Sequence, residues 1–207
     1  MNTSIRNVYC VGRNYKLHAA ELGNAVPEQP MIFLKPSHAV VSLDGSKLPL
    51  PQQQGEVHYE AELVIRIGKP YESGISVNEL VTEMAFGIDF TLRDVQNVIK
   101  QKGHPWTAAK GFKNAAPITE FIPFTSLDKV KEQDFTLIKN GNEVQRGNVK
   151  DMIFSLQEIV DYIAEHYGLG EGDIIFTGTP AGVGPVAEGD RLEIYWGDQS
   201  VGSCIIA

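Results

Sequence analysis

The segment His58-Tyr59-Glu60-Ala61-Glu62-Leu63-Val64-Ile65-Arg66-Ile67 carries an apolar, branched run from Ala61 to Ile67 that reads as a strand. In extended backbone, residues two apart point to the same face. Glu60 and Glu62 therefore project together, with His58 in position to join them. Two like charges at that separation repel by about 1 kcal/mol in water and several-fold more in a partly buried site. Such a pair either shares a proton or holds a cation. The bland alternative is a solvated strand face, because a Glu-x-Glu pair is a weak pattern by itself.

Outward from this segment, apolar runs at 31–34, 86–91, 135–138, 174–177, 192–196 and 201–206 also read as strands. Asn140-Gly141 marks a hairpin, since both residues tolerate positive φ. Ser155-Leu156-Gln157-Glu158 is a capping box that opens a helix running through His166, with Gly168 placed to stop it. Ser76-Val77-Asn78-Glu79 opens a shorter helix in the same way. A third helix is predicted over 92–102, ended by Gly103, and a fourth over 15–22. Strands outnumber helices and do not alternate with them, so the expected class is α+β, mainly β, in a single domain over 1–207.

The bulk properties narrow the function. A composition of 43% hydrophobic and 21% charged residues is that of a globular chain. The net charge is -8 with no basic block, so nucleic-acid binding has no electrostatic support. The same acidity repels an anionic substrate unless local cations or a bound metal reverse the sign at the site. Two cysteines, Cys10 and Cys204, are too few for a stapled secreted scaffold. No window approaches the roughly 18 apolar residues of a membrane span, and residues 1–9 lack a signal-peptide apolar core. A soluble, cytoplasmic protein is expected.

Further residues stand out chemically. Asp89 lies in the run Phe86-Gly87-Ile88-Asp89-Phe90, where an unpaired carboxylate is costly to bury. Three oxygen donors with few imidazoles suit Mg²⁺ or Mn²⁺ better than zinc. His18 and Glu21 are three apart, so on a helix they can touch; a carboxylate on one imidazole nitrogen leaves the other free to take a proton. The alternative is a surface pair worth a few tenths of a kcal/mol. Lys110 is placed to hold a substrate oxygen or an oxyanion, or else to snorkel over apolar surface. Arg93 and Gln96 share a helical face and are candidates for a substrate carboxylate, against structural pairing of Arg93 with nearby Asp94 or Glu residues. The glycines of Thr177-Gly178-Thr179-Pro180-Ala181-Gly182-Val183-Gly184 let backbone amides approach an anion, with Thr179 as a carboxylate donor; a plain turn is the alternative. It is no P-loop. His38, His104 and His166 read as structural or surface residues, and neither cysteine has a basic neighbour to make it a nucleophile.

Five stretches add a resemblance: Val11-Gly12-Arg13-Asn14-Tyr15-Lys16-Leu17-His18-Ala19-Ala20-Glu21 with Phe33-Leu34-Lys35-Pro36, the His58 to Glu62 segment, Asp89-Phe90-Thr91-Leu92-Arg93-Asp94-Val95-Gln96, Trp106-Thr107-Ala108-Ala109-Lys110, and Gly172-Asp173-Ile174-Ile175-Phe176-Thr177-Gly178-Thr179-Pro180-Ala181-Gly182-Val183-Gly184-Pro185. From about Val8 to the C-terminus the chain resembles the fumarylacetoacetate hydrolase family, and is similar to its small single-domain acylpyruvate hydrolases and oxaloacetate decarboxylases. The resemblance implies a mixed β-roll, a homodimer, and Mg²⁺ or Mn²⁺ on Glu60, Glu62 and Asp89. It further implies His18 with Glu21 as the water-activating dyad and Lys110 facing the metal. The small members carry a second His where Tyr59 stands; strand alternation predicts that this change leaves the metal site intact. The implied activity is cleavage of a small 2-oxo acid through a metal-stabilised pyruvate enolate, by acylpyruvate hydrolysis, oxaloacetate decarboxylation or both. A decarboxylase or isomerase of the 2-hydroxyhepta-2,4-diene-1,7-dioate type is the alternative, and a non-catalytic metal- or metabolite-binding protein is the rival from another class.

Overall fold

The strand Ala61–Ile67 buries six of its seven residues, so it must be covered on both faces and paired on both edges. In the computed structural model, which describes residues 5–21, 26–51 and 53–207, its antiparallel partners are Ile174–Phe176 and Val81–Ile88. Val8–Gly12 runs parallel to Ile174–Phe176 and antiparallel to Met31–Lys35. Ala116–Ile118, Val40–Ser42 and the short Ile122–Pro123 complete this sheet on the far side. The protein is mainly β, and this large sheet curls into a half-barrel.

Side-chain alternation divides the sheet into two faces. Leu63, Ile65 and Ile67 enter the main core with Tyr9, Val11, Met84, Phe86 and Ile88. Val64 faces the other way, into a smaller cluster with Val8, Cys10, Ala85, Ile174 and Phe176. Glu60 and Glu62 share the parity of Val64. A second sheet, ordered Asn142–Gly147, Phe135–Lys139, Arg191–Trp196, Gln199–Ile206, Asp44–Leu48, closes over the main core. Its Phe135 and Trp196 rings lie 5.7 and 6.0 Å from Phe86. The helix Leu156–Tyr167 buries Ile159, Val160 and Ile163 against the same core.

A third, small sheet pairs Val57–Tyr59 with Gly184–Val186 and Thr91–Leu92. Two chain segments therefore pass from the large sheet to the small one at the same level, through Glu60 and through Asp89-Phe90. The Asp89 N–H donates to the Glu60 carbonyl at 2.8 Å, and the Phe90 N–H to Ala115 at 3.0 Å. This corner corrects the single strand read over 86–91. The apolar run is continuous, but its hydrogen-bond partners change sheets at Asp89.

The Asn140-Gly141 hairpin forms, with φ of 51° and 83°. Both capping boxes are made, at Ser76 and Ser155, and Gly168 ends the longer helix at φ 83°. The helices read over 92–102 and 15–22 are Arg93–Gln101 and Lys16–Glu21; Leu22, like residues 1–4 of the leader reading, lies outside the described residues. Among the described residues no helix is long and apolar enough to cross a membrane. Strand Asp44–Leu48 was illegible in the sequence because four of its five residues are exposed and show no apolar period.

Candidate active site

The corner between the sheets brings three carboxylates together. Glu60, Glu62 and Asp89 are 5, 3 and 1% exposed, and each offers an oxygen within 4.8 Å of the others. Glu62 stands opposite Gly87 in the strand register. A Cβ on Gly87 would come 2.7 Å from the Phe176 ring, so the glycine lets that ring pack beneath the acidic cluster. Glu62 also accepts a hydrogen bond from the Gly178 N–H at 2.7 Å. Gly178 has φ +104°, and a Cβ there would meet the Asn14 Cβ at 2.6 Å, so this approach needs glycine.

Three cations answer two of the carboxylates, Glu60 and Asp89. Lys110, 2% exposed, donates to Glu60 Oε2 at 2.7 Å, Asp89 Oδ2 at 2.6 Å and Thr91 Oγ1 at 2.6 Å. Arg93 donates through Nη2 to Glu60 Oε1 at 2.5 Å and through Nη1 to Gln96 Oε1 at 2.6 Å, while Nε reaches His58 Nδ1 at 3.4 Å. Asp94 instead accepts from the Glu56 N–H, so Arg93 pairs inward, away from Asp94. The third cation, Lys35, was not assigned a role in the sequence. Its Nζ sits 2.7 Å from Asp89 Oδ1 and donates to the Lys110 carbonyl. Its place in the stretch Phe33-Leu34-Lys35-Pro36 was a signal, since a lysine ending an apolar strand needs a partner.

These charges set the titration of the cluster. Burial pushes Glu60 up, but the Lys110 ammonium and the Arg93 guanidinium outweigh it and hold the carboxyl well below its usual range. Glu62 goes the other way, pushed up by burial and then by Asp89. Burial opposes the charge on Lys110, yet Asp89 and Glu60 keep it charged above the usual lysine range.

His18 lines the pocket, and Glu21 meets it from outside the pocket lining. His18 is buried, and its Nδ1 lies 3.4 Å from Glu21 Oε2. Burial lowers the His18 pKa, against the opposing pull of Glu60 and Glu21. The Gly182 N–H donates to both Glu21 oxygens, at 3.1 and 3.2 Å. The glycine loop thus uses its amides on the protein's own Glu62 and Glu21. Thr179 lines the pocket, but its hydroxyl donates to the Ala61 carbonyl at 2.9 Å and accepts from Gln145 Nε2 at 2.8 Å. Donating to a substrate carboxylate would require breaking the first of these bonds. Gln145, which also accepts from the Ala61 N–H at 2.8 Å, is a buried support that sequence reading had no means to see.

The pocket encloses about 420 Å³, open solvent at its mouth included. It is lined by the three carboxylates, His18, Arg93, Gln96, Lys110 and Thr179, with Met31, Phe33 and Trp106 as an apolar wall. Tyr59 points elsewhere, packing against Gly184 with the Lys139 ammonium 5.9 Å from its ring. His38, His104 and His166 are exposed, and both cysteines are buried with thiols pushed up by desolvation.

The donor set fits a hard divalent ion. All three donors are carboxylates, and Asp89 Oδ1 is buried without a directed hydrogen bond, because Lys35 lies close but off axis. Among the described residues Glu62 has no cation of its own in contact, which a bound ion would supply.

A half-barrel β-sheet whose corner gathers buried carboxylates, matching cations and a His–Glu pair defines a class of small-molecule enzyme-like pocket proteins. The chain belongs to the fumarylacetoacetate hydrolase family: the family profile described as "Fumarylacetoacetate (FAA) hydrolase C-terminal" matches residues 7–205. It is 36% identical over 200 residues to the oxaloacetate tautomerase YcgM of Escherichia coli, covering 95% of this chain and 91% of that protein. It is 40% identical over 190 residues to the human mitochondrial oxaloacetate tautomerase FAHD1, covering 91% and 86%. The crystal structure of fumarylpyruvate hydrolase from Pseudomonas aeruginosa, in complex with Mn²⁺ and pyruvate, superposes with a TM-score of 0.90 at 37% identity, covering 98% and 90%.

Proposed function

We propose that this chain is a divalent-metal-dependent enzyme acting on a small 2-oxo acid, by acylpyruvate C–C hydrolysis, oxaloacetate decarboxylation or both. The observation that carries this reading is the buried carboxylate cluster sharing its pocket with His18, which Glu21 contacts from behind. Mg²⁺ or Mn²⁺ held by Glu60, Glu62 and Asp89 would supply positive charge beside the substrate's 2-oxo group. The names of the relatives, oxaloacetate tautomerases and a fumarylpyruvate hydrolase, support the substrate class.

The chain's own residues account for the remaining steps. Arg93 fixes the Gln96 carbonyl, which leaves the Gln96 amide N–H groups to hold the substrate's 1-carboxylate. His18, neutral because it is buried, takes a proton from a water molecule as that water adds to the C4 carbonyl. Glu21 fixes its orientation and steadies the imidazolium. Lys110 balances the oxyanion on C4. The C3–C4 bond then breaks, its electron pair passes to the enolate of pyruvate, and C3 is protonated by His18. With oxaloacetate, C4 leaves as carbon dioxide and no attacking water is needed. A second reading is favoured by the tautomerase relatives. In it, His18 moves a proton between C3 and the 2-oxygen without breaking carbon–carbon bonds.

The test is a panel of oxaloacetate, acetylpyruvate and fumarylpyruvate with Mg²⁺, with Mn²⁺ and with a chelator. Metal-dependent product formation that Glu62→Gln abolishes is expected. A folded, metal-loaded protein that transforms none of the three would overturn the enzyme reading in favour of a binding protein.

A further inference from the structure

The inner cations of the pocket are all paired with carboxylates, whereas two cations at its mouth are not. Arg13 and Lys100 both line the pocket, and among the described residues neither side chain makes a hydrogen bond or ion pair. We propose that they form a second carboxylate-binding position, so that the enzyme prefers 2-oxo acids bearing a distal carboxylate to those with a neutral tail. This rests on the 2-oxo acid reading above and deepens it to dicarboxylates.

The helix Arg93–Gln101 supplies the geometry. Residues 93, 96 and 100 follow the spacing that places side chains on one stripe. Arg93 reaches the buried Glu60 at the inner end, Gln96 follows, and Lys100 lies about 10 Å beyond Arg93 along the axis. The helix therefore presents polar groups at two depths of one pocket. Arg13 approaches the same mouth from the end of strand Val8–Gly12. It has φ +58°, a conformation uncommon for a side chain other than glycine, asparagine or aspartate. Its neighbour Asn14 holds it there, donating to Thr177 O at 2.8 Å and Phe154 O at 3.1 Å and accepting from the Phe154 N–H at 2.8 Å. An uncommon backbone conformation held beside three Asn14 hydrogen bonds is a costly way to place a guanidinium at a mouth without a partner.

The electrostatics agree. Burial lowers the Lys100 pKa, and Arg13 and then Arg93 lower it further, so unlike charge is wanted at this place. In a chain of net charge -8, two adjacent unpaired cations form a local reversal of sign that attracts a dianion. The same pocket is lined by Phe33 and Trp106, with ring centroids 5.5 Å apart, and by Met31. They make an apolar wall for the short carbon chain that separates two carboxylates.

Two measurements on the full metal-loaded chain test the proposal. The first compares kcat/KM for oxaloacetate and fumarylpyruvate with that for acetylpyruvate. Lys100→Met is expected to reduce the preference for dicarboxylates about 10- to 100-fold, mainly through KM, with Lys100→Arg restoring most of it. Arg13→Asn, which tolerates the same φ, is expected to act likewise. The second measures binding by calorimetry without turnover, setting 2-oxoglutarate against 2-oxopentanoate, which lacks the distal carboxylate. The wild type is expected to favour the former and Lys100→Met to lose most of that margin. A preference unchanged in both variants, or a wild type indifferent to the second carboxylate, overturns the proposal. Loss of turnover on every substrate with the binding preference intact would overturn the enzyme reading and leave this position standing.

Discussion

Replacing Lys35 by methionine probes the charge balance at the corner without emptying space. The Lys35 and Asp89 side chains are 0 and 1% exposed, with Nζ 2.7 Å from Oδ1. Removing one partner of a buried ion pair costs about 3–5 kcal/mol, because the other charge stays buried. Asp89 retains Lys110 at 2.6 Å, which places the expected loss near the lower end, about 3 kcal/mol. For a chain of this length each kcal/mol moves Tm by about 2–4 °C, so a fall of about 6–12 °C is expected. The assay is thermal unfolding followed by circular dichroism in the presence of a chelator. Saturating Mn²⁺ should recover more of Tm in Lys35→Met than it adds to the wild type, since a bound ion would replace the missing positive charge at Asp89. A chelated variant that melts within about 2 °C of wild type, or one that Mn²⁺ raises no more than wild type, would refute this account of the cluster.

Three further outcomes are expected. Burial holds the His18 pKa below the usual histidine value of 6.5, so the unfolded chain takes up this proton first as pH falls. His18 therefore subtracts stability below about pH 6.5, and the acid limb of kcat/KM should lie below that value and change with His18→Asn. Glu62 is pushed up by burial and then by Asp89, so ion binding should release protons over a pH range above that of an ordinary carboxylate. Titration calorimetry in two buffers of different ionisation enthalpy should show this as a buffer-dependent heat, and Glu62→Gln should reduce it. Gly87→Ala sets a Cβ 2.7 Å from the Phe176 ring; a loss of about 1–3 kcal/mol in denaturant unfolding is expected, with Gly170→Ala, which meets open space and has no positive φ, as the control.

Local rules made much of this protein legible in its sequence. The strand Ala61–Ile67, the Asn140-Gly141 turn and the helix opened by Ser155 follow from periodicity, positive φ and capping, all written within a few residues. The pairing of Glu60 with Glu62, and the reach of His18 to Glu21, follow from the strand and helix repeats in the same way. Tertiary structure alone decided that Asp89 joins Glu60 and Glu62, because their meeting depends on two chains changing sheets at one level. It also decided that Lys35 and Gln145 support the site, and that the loop amides are spent on Glu62 and Glu21. Contacts between residues about 30 to 160 positions apart carry no sequence period; they are set by which strands pair, and that is a property of the packed whole.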